Sequence, residues 1–159
     1  MKRFYFCLML VAAIVGCEDG ADFVAEKNRM IISDSFAVYD SLKEVTLWIP
    51  SEQDTDRALT AVYFYLRNRA SGHRIIDPLK EDVRLILNNK GKYAVQFIGI
   101  MRNGEKTILC NFLPADEIPR LSKWKTERII VRDGGCWYWN IEYDCEEQTC
   151  SQLHINGES

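Results

Sequence analysis

Apolar positions along this chain recur with one of two periods, and a change of period marks a change of element. Glu44–Ile49 (EVTLWI) is rich in β-branched and aromatic residues, with Val45, Leu47 and Ile49 on one side, the pattern of a half-buried strand. Pro50 stops it. Ser51 then stands three residues before Asp54, the spacing at which a cap hydroxyl and an acidic side chain satisfy each other's backbone N–H groups. Beyond that cap Ala58, Leu59, Val62, Tyr63 and Leu66 recur at helical spacing, while Arg57, Arg67 and Asn68 fall elsewhere on the wheel. The spacing predicts a helix over about residues 52–70, closed by Ser71-Gly72.

After a connector at residues 73–79, broken by Asp77-Pro78, the pattern turns to period two. Val83, Leu85 and Leu87 alternate with Arg84 and Asn88 and predict a strand. Asn89-Lys90-Gly91 makes a turn, and Tyr93, Val95 and Phe97 open a strand that runs to Met101. Asn103-Gly104 is the strongest hairpin signal in the chain, because both positions tolerate positive φ. Thr107–Leu113 follows, with Ile108, Cys110 and Phe112 on one face. Residues Pro114–Lys125 are irregular, with room for one helical turn near Ala115–Ile118. Further strands are expected at Arg128–Arg132, Trp137–Tyr143 and Ser151–Ile155, the first two separated by a turn at Asp133-Gly134-Gly135.

The expected order is strand, helix, then a meander of antiparallel strands. This is an α+β fold in which one main helix packs on a curved antiparallel β-meander. That order resembles the cystatin-like and nuclear-transport-factor-2-like folds. The resemblance lies in element order alone, so it implies an architecture and no activity.

Chemistry-bearing side chains are sparse. In Trp137–Tyr143, period two puts Trp137, Trp139, Ile141 and Tyr143 under the helix and leaves Tyr138 outward. Tyr138 is therefore a candidate contact for a partner, with Trp48 and Trp124 as further aromatic candidates at the sheet ends. His73 and Asp77 share the connector, and His154 stands apart on the last strand. Ser71 and Ser151 sit in no strand–turn–helix nucleophile setting, so no catalytic residue is assigned. Arg67, Arg69, Arg74 and Lys80 gather near the helix C-terminus, where cations complement its dipole. Asp144, Glu146 and Glu147 lack the alternating ligands of a calcium loop and read as a charged hairpin tip. No metal site and no cofactor motif is recognised.

The first residues belong to a different pattern. Lys2-Arg3 precedes an uncharged, mostly apolar stretch of twelve residues, Phe4–Val15, too short to span a membrane, which takes about 20. It ends at Ile14-Val15-Gly16-Cys17. Charge, apolar run, small residue and cysteine together resemble the lipobox signal of bacterial lipoproteins, over residues 1–17 only. The resemblance implies removal of residues 1–16, a diacylglycerol thioether on Cys17 and attachment to the membrane through that lipid. Glu18 in place of Asp after the cysteine favours the periplasmic face of the outer membrane in a Gram-negative cell. Residues 17–34 are then a charged, lipidated tether and residues 35–159 a single domain.

Charge and cysteines narrow the picture further. The whole chain carries −3; without Lys2 and Arg3, 18 basic residues face 23 acidic ones, giving −5. Such a balance disfavours nucleic acid as a partner, since that binding rests on neutralising phosphates. Cys110, Cys136, Cys145 and Cys150 are separated by 25, 8 and 4 residues with no Cys-x-x-Cys pair, which in an exported domain predicts disulfides rather than zinc. Four cysteines allow three connectivities; the hairpin tip favours Cys145–Cys150, leaving Cys110 for Cys136. The expectation is an envelope-anchored lipoprotein whose domain binds a protein, peptide or glycan partner without catalysis. The alternatives are a small enzyme or ligand carrier using a helix–sheet pocket, and an inhibitor or immunity protein presenting residues 114–125.

Overall fold

The structure, a computed structural model, describes residues 23–33, 46–72, 77–102 and 104–157. The leader, Cys17, His73 and Arg74 lie outside these residues. Two short strands, β1 (Arg29–Ile31) and β2 (Thr46–Trp48), precede helices α1 (Glu52–Ser71) and α2 (Lys80–Asn88). Four longer strands follow: β3 (Tyr93–Arg102), β4 (Glu105–Pro114), β5 (Trp139–Asp144) and β6 (Thr149–Ile155). Together they make an α+β fold on one six-stranded, mostly antiparallel sheet.

Strands β3 to β6 form the antiparallel meander, and the two-residue connection after Arg102↔Glu105 has Gly104 at φ +89°. The other edge of β3 is shared end to end. β1 pairs in parallel with Val95–Phe97, and β2 pairs antiparallel with Gly99–Met101. Gly99 permits the second pairing, since a Cβ there would stand 2.2 Å from the Trp48 carbonyl oxygen.

Helix α1 starts where the cap spacing predicts. The Ser51 hydroxyl accepts from Asp54 N–H, and the Asp54 carboxylate accepts from Ser51 N–H at 3.0 Å. Ala58, Leu59, Val62, Tyr63 and Leu66 are buried against the sheet face built from Val95, Phe97, Ile108, Cys110, Phe112, Trp139, Ile141 and Tyr143. At its C-terminus Lys80 Nζ donates to Gly72 O at 2.8 Å, while Arg69 is held by Asp77 and Tyr65.

Three expectations need correction. Residues 80–88 are helix α2, not a strand. Val83 and Ile86, three apart, are the buried pair, and Leu85 is exposed, so the apparent alternation of Val83, Leu85 and Leu87 was coincidental with a helical face. Residues 128–132 form no strand and lie across the sheet instead. The segment 23–33, assigned by composition to a tether, is part of the domain. Phe23 and Val24 are fully buried, and the Phe23 ring sits 5.9–6.1 Å from those of Tyr63, Tyr93, Phe112 and Trp139.

The opposite face of the sheet is covered by Ile32 and Leu47 at one end and by residues 115–131 at the other. A polar clasp holds that irregular stretch. Gln96 and Asn111 are cross-strand partners, both buried. Gln96 Nε2 donates to Trp124 O and Glu127 O, both at 2.7 Å. Gln96 Oε1 accepts from Ile129 N–H at 2.8 Å and from Asn111 Nδ2 at 3.0 Å, and Asn111 Nδ2 also reaches Ile129 O at 2.9 Å. The Gln96 amide thus fills both donor and both acceptor capacities.

Candidate functional site

At the end of the sheet where β3 begins and β4 ends, Tyr93 is paired with Pro114. Beyond Pro114 the chain enters a 3-10 turn, Ala115–Arg120, pinned by a bond from Ala115 N–H to Lys92 O at 2.8 Å. A second short turn, Gly135–Trp137, leads into β5 on the other side. Gly134 begins it at φ +100°, and a Cβ there would lie 2.5 Å from the Tyr138 ring, so glycine is required twice over. Tyr93 Oη donates to Cys136 O at 2.9 Å, Gly135 N–H to Gly157 O and Asn156 N–H to Tyr138 O, tying the turn to its surroundings.

Between the two turns opens a groove of about 510 Å3 lined by Lys92, Pro114, Ala115, Asp116, Glu117, Gly134, Trp137 and Tyr138. The volume falls within the range of ligand sites, roughly 300–1,000 Å3. Trp137 forms one wall and is 37 % exposed, with its ring 5.9 Å from Tyr93 and Lys92 Nζ 6.0 Å from its centroid. Tyr138 forms the floor, half-buried. Burial raises its hydroxyl pKa, and the carboxylates of Glu117 and Asp116 add to the rise, which places both acids within electrostatic reach of it. The groove therefore offers aromatic surface, carboxylate acceptors and one ammonium within a single hollow. A larger hollow, about 900 Å3, lies beside β1 and the start of α1, bridged by Arg29–Asp56 at 2.8 Å.

The three aromatic candidates separate in space. Tyr138 lines the groove. Trp124 is 5 % exposed beneath the residue 115–131 stretch, so it packs rather than presents. Trp48 lies opposite Gly99, six residues and about 20 Å along β3 from the groove end. Its indole N–H points at Ile100 O and Thr107 O, and Lys106 Nζ covers its ring at 4.8 Å. Trp137 was expected under α1 with Trp139. Trp139 is buried, but the turn at Gly134-Gly135 takes Trp137 out of strand phase and into the groove wall. Asp116, Glu117 and Lys92 carried no motif that would single them out.

Among the described residues no disulfide joins Cys110, Cys136, Cys145 or Cys150. Cys150 sits opposite Tyr143, and Cys145 follows directly after the Asp144↔Thr149 pair. Cys136 packs beside Tyr93, while the thiols felt by Cys110 are those of Cys150 and Cys145. Burial pushes the Cys145 thiol up to about 11 and Cys150 to about 12, and drives Cys110 up as well. In the thiol form these groups stay protonated near neutral pH. Asp77 is engaged by Arg69 and by Leu79 N–H, and His154 is exposed on β6 opposite Asn140. Asp144 Oδ1 accepts from Glu146 and Glu147 N–H, making the acidic run a self-bonded hairpin tip.

No described helix is long and apolar enough to cross a membrane, and no cluster of three metal-ligating side chains occurs among the described residues. Comparison with protein-family models, characterised proteins and solved structures yields no match.

Proposed function

We propose that this chain is an envelope lipoprotein, anchored through Cys17, whose domain binds a protein, peptide or glycan partner in the Trp137–Tyr138 groove. The observation that carries the binding reading is the exposed Trp137 beside the half-buried Tyr138, in a hollow whose described lining holds three charged side chains, Lys92, Asp116 and Glu117. Aromatic side chains give large contact area at little conformational cost, and they dominate the energetics of partner surfaces. The anchor reading rests on the lipobox resemblance at Ile14–Cys17. Anchoring fits a binding role, because two acyl chains hold a protein at a surface at about 0.8 kcal/mol per buried methylene while leaving its domain free to meet partners.

One cell experiment tests both parts. The full-length protein is labelled with a fatty-acid probe, cross-linked in its native envelope and recovered. Wild type takes the label and Cys17→Ala does not. Trp137→Ala and Tyr138→Ala each lower partner recovery at least ten-fold, while Trp48→Ala leaves it unchanged. Equal labelling of wild type and Cys17→Ala removes the anchor; equal recovery across the three aromatic variants removes the groove.

A further inference from the structure

We infer that the groove recognises a lysine or arginine side chain presented by an extended segment of a partner protein. The inference rests on the groove being the binding surface proposed above, and it names the chemistry that fits there.

The Trp137 ring already carries a cation. Lys92 Nζ stands 6.0 Å from its centroid, at the limit of a cation–π contact, and is steadied by Asn89 Oδ1 at 3.1 Å. The chain's own ammonium therefore shows what the exposed part of this indole attracts. A guanidinium is planar and more weakly hydrated than an ammonium, so it stacks on such a ring better than Lys92 does.

Two acidic residues of the same lining, Asp116 and Glu117, supply the counter-charge. Asp116 is exposed and makes no ion pair among the described residues. Among the described residues Glu117 pairs with Arg120, at 3.5 Å on the surface of the 3-10 turn, a kind of pair that contributes little. Both carboxylates stand close enough to Tyr138 to act on its hydroxyl. A side chain entering the groove thus meets aromatic surface from Trp137 and Tyr138 and two carboxylate acceptors within one lining. The apolar surface of Pro114 and Ala115 beside them suits the methylene stem of a long basic residue. The chain's net charge of −3 acts in the same direction, steering cationic partners toward it.

The test uses the full chain with three probes: an arginine-containing pentapeptide, the same peptide with citrulline for arginine, and an N-acetylglucosamine tetramer. Affinity is measured by calorimetry in every variant, and the site of binding is followed by the NMR shift of the Trp137 indole wherever that residue is present. The arginine peptide is expected to bind at least ten-fold tighter than the citrulline peptide, and to weaken with salt. Asp116→Asn combined with Glu117→Gln should lower its affinity about ten-fold. Lys92→Met should raise it several-fold by removing the internal competitor, a gain that a merely structural lysine would not produce. Equal affinity for arginine and citrulline peptides, or weaker binding by Lys92→Met, overturns the cation inference. Preferential binding of the sugar, lost in Trp137→Ala, overturns it too but leaves the groove standing. Arginine-peptide binding that survives Trp137→Ala unchanged, or no response of Trp137 to any probe, overturns the groove itself.

Discussion

On one face of the sheet the strands meet α1 through aliphatic and aromatic side chains in regular alternation; on the other, a stretch without regular structure is held by two side-chain amides. Phe112 and Trp139, cross-strand partners, stack at 3.8 Å with planes 5° apart beneath the helix side. Opposite them in phase, Gln96 and Asn111 spend their hydrogen bonds on the backbone of residues 124–129. The helix face is stabilised by area removed from water, roughly 25 cal/mol per Å2, and tolerates some imprecision in geometry. The clasp face depends on direction, because each buried group must meet its partner or lose about 1–3 kcal/mol. The difference teaches why a binding groove can be built at the edge of the second face: an irregular chain positioned by point contacts can turn side chains outward without breaking a periodic pattern.

The largest effect expected is at the helix face. Trp139→Ala should destabilise the domain by about 3–5 kcal/mol in urea unfolding, since it empties a site shared by Phe23, Tyr93 and Phe112. Gln96→Leu should cost less, about 1–3 kcal/mol, and act locally. Amide exchange at Ile129, whose N–H bonds Gln96 Oε1, should accelerate well before global unfolding. If Gln96→Leu costs more than Trp139→Ala, the ranking of the two faces is reversed. The smallest effect is at the helix start, where Ser51→Ala should cost about 1 kcal/mol. Hydrogen bonds from the Ser51 side chain and then its backbone hold the Asp54 pKa below its ordinary value. That contribution is present above the ordinary aspartate range and is lost as pH falls through the lowered value. The gap between wild type and Ser51→Ala should therefore narrow in acid, as thermal unfolding measured across that range would report.

The same contrast governs what could be read from sequence. Helix α1, its Ser51–Asp54 cap, the Asn103-Gly104 hairpin and the inward face of Phe112, Trp139, Ile141 and Tyr143 were legible, because each follows from local period or turn chemistry. Helix α2 was not, since nine residues hold too few turns for Val83 and Ile86 to outweigh the alternation of Val83, Leu85 and Leu87. β1 was missed because a three-residue strand gains its identity from a distant partner rather than its own pattern. Of the groove, Tyr138 was visible. Strand phase alone puts Trp137 inside, but the backbone leaves that phase at Gly134-Gly135, where φ is positive. Asp116 and Glu117 reach the site only through Pro114 and the turn that follows, a juxtaposition no local spacing encodes.

The shared edge of β3 also sets an order of events. The pairing of β3 with β4 closes over two residues, whereas Arg29 must find Val95, 66 positions along the chain. Loop-closure entropy and contact order make the second pairing the slower one. During synthesis β1 leaves the ribosome long before its partner exists and must wait. Until it arrives, the amides of Val95–Phe97 face outward as an open strand edge, the kind of surface on which nascent chains join one another. The moment of greatest exposure to aggregation in the life of this protein therefore falls after its hairpins have formed and before its first strand has docked.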